Sequence, residues 1–189
     1  MPPAEYCVAE TFSTPTLPGV DILALETILV TDYAVNATAK DRFTQPAVEA
    51  EGVNFCNVTV SYTHPGQNDN VIVETWLPLD TWNERLQAVG GGGYVTGRTG
   101  LSYRNMNGAI ADGYATVTTD GGLVGEVSEW AMVSPGNVNL YNVQNYASVS
   151  LNEEVCRDTS RGGDVQRSWV VDRGRGRGEG RGKRRNEKI

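Results

Sequence analysis

The chain has 189 residues, 39% of them hydrophobic and 21% charged, with three cysteines, one histidine and a net charge of −7. That size and balance suit one domain with a real core, and they exclude a fibre or a bundle of membrane spans. The charge is divided: residues 1–155 hold 5 Lys and Arg against 18 Asp and Glu, a net of −13, whereas residues 156–189 hold 11 against 5, a net of +6. The acidic part has too few cations for phosphate contacts, which excludes it as a nucleic-acid binder.

In chain order, MPPAEYCVAE has neither the basic start nor the apolar stretch of a secretory signal, so the sequence as it stands is expected to carry no export address. VDILALETILV is interrupted by Asp21 and Glu26 and is too short to span a bilayer. Its β-branched continuation predicts a strand from Thr27 to Val35. FCNVTVSYTHP alternates apolar and polar residues, PGQNDN marks a turn, and VIVETWLPL follows, which predicts an antiparallel hairpin.

RLQAV predicts a short strand that runs into four consecutive glycines. In SYRNMNGAIADGY, Met106, Ala109, Ile110 and Tyr114 fall at helical spacing, with Gly113 as a C-terminal cap. YATVTTD is an apolar, β-branched strand ending at Gly121 and Gly122. NVNLYNVQNYASVSLNE sets Leu140, Val143, Tyr146, Ala147 and Leu151 near one helical face. Strands that give way to alternating strand and helix indicate an α/β domain in which antiparallel strands lead into a parallel sheet. The closing DRGRGRGEGRGKRRNEKI alternates Arg with Gly and has almost nothing apolar to bury, so residues 156–189 are expected to be a disordered basic tail.

Four glycines at a strand end are costly to order, since glycine loses more backbone freedom on folding than any other residue. A plain strand-to-helix turn needs only about one or two. A phosphate cradle is excluded by the lack of a Gly-Lys-Ser/Thr ending and of dinucleotide-type spacing. The functional reading is a turn that brings backbone N–H groups close to a developing negative charge.

Three stretches carry a resemblance: FCNVTVSYTHPGQNDNVIVETWLPLDTWNERLQAVGGGGYVTG, then AIADGYATVTTDGGL, then SPGNVNLYNVQNYASVSLNE. Together they resemble the first part of the fungal tannase and feruloyl esterase family, over about Cys7 to Glu153. The resemblance implies a serine carboxylic ester hydrolase of α/β-hydrolase fold that acts on feruloyl or galloyl esters of plant phenolics and is secreted. It also implies that Gly90, Gly91, Gly92 and Gly93 form the oxyanion loop. No cofactor is implied for these residues, because a calcium site of the family belongs to an inserted lid domain that has no counterpart here. Neither a membrane nor a nucleic acid is expected as partner.

The catalytic part of the pattern does not continue. The family's nucleophile stands in a Cys-Ser-x-Gly-Gly elbow, and the nearest match is CRDTSRGG, where Cys156 lies four positions before Ser160. An elbow needs a strand before the serine and a helix after it, and neither is legible around Ser160. The single histidine, His64, precedes any nucleophile and reads as an exposed turn residue beside Pro65. Asp120 ends a parallel-type strand, where ligands bind, but reads first as a turn aspartate.

The expectation is therefore residues 1–155 as the first part of an esterase domain, truncated before the elbow and inactive alone, with an unrelated tail. A rival of another class is a non-catalytic binding protein with a disordered basic arm. The resemblance further pairs Cys7 with Cys56, with 48 residues between them, a closure contributing about 4 kcal/mol on the chain-entropy model. Cys156 is left over. Two glycosylation sequons start at Asn36 and Asn57.

Overall fold

A computed structural model describes residues 6–154, except residues 13, 15, 16, 43 and 44. The expected basic tail, Cys156 and Ser160 lie outside the described residues. A mixed sheet organises the rest. Its strands are β1 (Asp21–Ala37), β2 (Val48–Thr63), β3 (Val71–Pro78), β4 (Leu86–Ala88) and β5 (Ala115–Thr119), in the spatial order β1-β2-β3-β5-β4. All neighbours are antiparallel except β4 and β5, which run parallel. The parallel pair is linked by helix α1 (Gly100–Ala111), the crossover that a parallel connection requires.

The predicted hairpin is β2 and β3. The first strand begins six residues before the expected Thr27 and pairs with β2 along its whole length. Alternation is broken inside it, because Asp32 (φ 55°) and, across the ladder, Gly52 (φ 69°) sit at register shifts. Each extra residue moves the following side chains to the opposite face. Leu25 therefore packs beside Cys56 and Val58 on one face, whereas Tyr33, Val35 and Ala37, of the same parity, pack with Phe55 and Trp76 on the other. Asn54 secures the bulge by accepting from the Asp32 N–H at 2.9 Å.

Helix α1 covers that second face with Met106 and Ile110, both fully buried. Trp76 stacks between Phe55 and Tyr103, with ring centroids 4.8 and 6.1 Å away. Buried Arg42 lies across Gly108 and pairs with Asp112 at the helix end, where any Cβ on residue 108 would collide with it. Gly113 follows at φ 79°, as the cap reading expected. The first face is covered by the N-terminal segment, which the Cys7–Cys56 disulfide fastens to β2.

After β5 come a short helix α2 (Val127–Trp130), a small hairpin of β6 (Met132–Ser134) and β7 (Asn137–Val138), and helix α3 (Leu140–Gln144). The helix continues through a π turn at Asn145–Val149 to residue 154. Here the expected apolar face is overturned. Leu140 and Leu151 are exposed, and the buried side chains are Asn145, Ser150 and Glu154. The π turn adds a residue to one turn and so rotates everything after it, and the Ser150 hydroxyl donates to the Asn145 carbonyl at 2.7 Å to close it.

Candidate functional site

The parallel pair places two turns at one end of the sheet: the glycine run after β4, and Asp120-Gly121-Gly122 after β5. The glycine turn is held by its carbonyls. Ser102 Oγ donates to Gly90 O at 3.2 Å, Val95 N–H to Gly92 O at 3.2 Å, and the Tyr146 hydroxyl to Gly93 O. Gly91 admits no side chain, since a Cβ there would overlap the Thr96 and Val95 carbonyl oxygens. All four glycines are exposed, and among the described residues none of their N–H groups donates a hydrogen bond. The arrangement presents a row of free donors at the mouth of a parallel strand.

Behind the turn lies a charge that the sequence reading missed. Glu74 on β3 is buried, and both its oxygens are satisfied: Oε1 accepts from Asn57 Nδ2 at 3.0 Å and Trp76 Nε1 at 2.9 Å, and Oε2 accepts from Arg98 Nε at 3.1 Å and the Tyr103 hydroxyl at 2.8 Å. Burial works against this charge, but the Trp76, Tyr103 and Arg98 donors outweigh it and hold the carboxyl below the usual range. Arg98 (φ 55°) ends the loop that begins at Gly90 and also faces Asp120 Oδ2 at 3.5 Å. Glu74 thus ties both turns to the sheet. Its trace in the sequence is the single charge in VIVETWLP, a strand otherwise fit for burial on both faces.

Asp120 is a turn aspartate: Oδ1 accepts from the Ile72 and Gly122 N–H groups, each at 2.9 Å. His64 departs from expectation. It is buried, not exposed, with Nδ1 2.6 Å from Asp69 Oδ2 and Nε2 3.0 Å from Glu153 Oε1. The local Pro-Gly signal indicated a turn, but the end of the last helix, which covers the ring, comes from residues far along the chain. Asn36 is exposed on β1; Asn57 is half-buried, and its amide is committed to Glu74. Among the described residues no three His, Cys, Asp or Glu side chains are placed to hold a metal ion. None of the described helices is long and apolar enough to cross a membrane.

No protein-family model matches the chain. A probable feruloyl esterase of Arthroderma benhamiae is 41% identical over 105 residues, which make up 53% of this chain and 19% of that protein. Tannase of Aspergillus oryzae is 39% identical over 67 residues, 32% of this chain and 11% of the enzyme. The solved structure of tannin acyl hydrolase from Aspergillus niger superposes with a TM-score of 0.65 at 26% identity, covering 80% of this chain and 27% of its own. The chain is a relative of the tannases and feruloyl esterases. It spans about a fifth or less of the curated tannase and feruloyl esterase it matches. Its mixed sheet is that of the tannase fold, which is of the α/β-hydrolase type.

Proposed function

We propose that this chain carries the oxyanion-binding part of a serine carboxylic ester hydrolase for phenolic esters of the feruloyl or galloyl class. The observation that supports this is the exposed turn at Gly90 to Gly93, whose N–H groups are free among the described residues at the carboxyl end of a parallel strand. Such donors stabilise the oxygen of a tetrahedral intermediate as its charge develops. Glu74, Arg98 and Ser102 position the turn. Extracellular location is part of the proposal, supported by the Cys7–Cys56 disulfide and the exposed sequon at Asn36.

The chain alone is proposed to be inactive. A serine nucleophile needs a base to take its proton, and His64 offers none, because both ring nitrogens already face carboxylates. The purified chain is expected to leave methyl ferulate, methyl gallate and p-nitrophenyl butyrate at the background rate. Turnover that Ser160→Ala abolishes would overturn that expectation. The loop assignment is tested separately by grafting residues 86–98 into the Aspergillus niger hydrolase. The graft should remain active, and Gly91→Ala within it, whose Cβ would overlap the Thr96 and Val95 carbonyl oxygens and displace the turn's N–H groups, should lower kcat on the order of a hundredfold, as does loss of one oxyanion donor. An unchanged kcat would refute the assignment.

A further inference from the structure

We infer that His64 is a pH-sensitive clasp that fastens the last helix to the sheet and, through that helix, holds the glycine turn. The geometry sets the protonation. Carboxylates only accept hydrogen bonds, so an imidazole with Asp69 on one nitrogen at 2.6 Å and Glu153 on the other at 3.0 Å carries both protons and a positive charge. Neighbouring groups support the two carboxylates as acceptors. Asp69 Oδ1 takes the Thr63 hydroxyl at 3.0 Å and the His64 N–H at 2.8 Å, its Oδ2 takes Asn145 Nδ2 at 3.1 Å, and Glu153 Oε2 takes the hydroxyl of fully buried Tyr62 at 2.6 Å. The titratable groups facing the ring are thus Asp69 from the β2–β3 turn, Glu153 from the helix and Tyr62 from β2, and Glu154 is buried next along the helix.

Two contacts of the helix meet at this cluster: Asn145 donates to Asp69, and Glu153 faces the His64 ring. Between them in sequence stands Tyr146, whose hydroxyl donates to the Gly93 carbonyl and whose ring lies 5.3 Å from Trp130 and 6.3 Å from Tyr94. The apolar residues Leu140, Tyr141 and Leu151 of the same helix point to solvent. With little apolar burial to hold it, the helix depends on its polar contacts. Loss of the imidazolium proton would turn one ring nitrogen into a lone pair facing a carboxylate. Glu153 is the partner released, because Asp69 is fixed by three further donors.

The sign follows from the energetics. Burial disfavours the charged ring, but the hydrogen bonds and charges of Asp69 and Glu153 prevail, so its pKa is raised. The clasp is complete below the ordinary histidine value and opens as pH rises through the raised one. Asp69 titrates below its ordinary range, again because the bonds with His64 and Thr63 outweigh burial. The Asp69 half of the clasp therefore survives mild acid and is lost as pH falls through that lowered value.

The test uses the oxidised full chain at low micromolar concentration. His64 is the sole histidine, so exchange of its imidazole C2 hydrogen, read by mass spectrometry, reports one titration. Amide exchange of peptides covering 140–154 and 90–95, corrected for intrinsic rates, reports the helix and the turn. The expected result is a His64 pKa above the ordinary value, with protection of 140–154 falling about tenfold or more as pH passes it. Protection of the Val95 amide, which donates to the Gly92 carbonyl within 90–95, should fall with it. His64→Gln should remove the pH dependence, and Glu153→Gln, which keeps a partner for Tyr62, should return the His64 titration toward its ordinary value. A His64 pKa at or below the ordinary value, flat protection in the parent chain, or the same pH dependence in His64→Gln would overturn the clasp. The link to the turn rests on the proposed role of residues 90–93, but these readouts need no esterase activity. A failed graft experiment would leave the clasp standing, and a failed clasp would leave the graft result unaffected.

Discussion

Removing the Cys7–Cys56 bridge tests how the first face of the sheet is closed. The two cysteines are 49 positions apart, and both are buried in the cluster with Val58, Leu77, Leu79 and Ala115, against which Phe12 also packs. Without the bridge, the denatured chain regains the freedom of a loop of that length, worth about 4 kcal/mol on the chain-entropy model. Since whole domains are stable by only about 5–15 kcal/mol, the variant Cys7→Ala/Cys56→Ala should lose a large share of the total. With a urea slope of about 2 kcal/mol per molar, the unfolding midpoint should fall by about 2 M. Tryptophan fluorescence at low micromolar concentration would follow the transition in the oxidised chain and in the variant. Proteolysis within residues 6–20 should also become faster, because the covalent tie of this segment to β2 is gone. A midpoint shift below about 0.5 M at unchanged slope would refute the argument, showing that the segment stays docked without its covalent tie.

Glu74→Gln should cost about 3 kcal/mol, at the lower end for breaking a buried pair because Arg98 keeps Asp120 as a partner. Because the Glu74 pKa is depressed, its contribution is present above the ordinary carboxylate value and is lost as pH falls through the lower folded one. Thermal melts of parent and variant should therefore converge in acid, and a constant gap across the pH range would refute this. In a secretory eukaryotic host, intact-mass and peptide analysis should find a glycan on Asn36 and none on Asn57 of the folded chain, since the Asn57 amide is occupied by Glu74; an occupied Asn57 in folded material would refute the assignment. Among the described residues β4 is a sheet edge with Leu86 exposed, and open edges template association. Sedimentation velocity should show concentration-dependent association that Leu86→Lys suppresses, and a monodisperse parent monomer at tens of micromolar would count against it.

Several features were legible locally. The hairpin of β2 and β3, the strand β5, helix α1 with Met106, Ala109 and Ile110 inward, and the Gly113 cap are all written in short-range periodicity and turn residues. These depend on forces that act within a few positions. The glycine turn was legible for the same reason, since a backbone requirement at residues 90–93 leaves its mark at those residues.

Other features required the folded chain. The parity of Tyr33 and Val35 follows from paired bulges at Asp32 and Gly52, which only the alignment of two strands defines. Likewise, the inward face of the last helix is polar because a π turn rotates it and because Asp69, 76 positions before Asn145, supplies a partner. The same holds for His64, whose own neighbourhood, THPG, says turn and therefore exposure. What buries and charges it is Glu153, 89 positions later. Sequence by itself thus determined the main strands, helix α1 and the glycine turn, through backbone preferences and apolar spacing. Tertiary structure decided the state of every buried charge, because a carboxylate or imidazole is tolerated inside only where distant parts of the chain bring the groups that satisfy it.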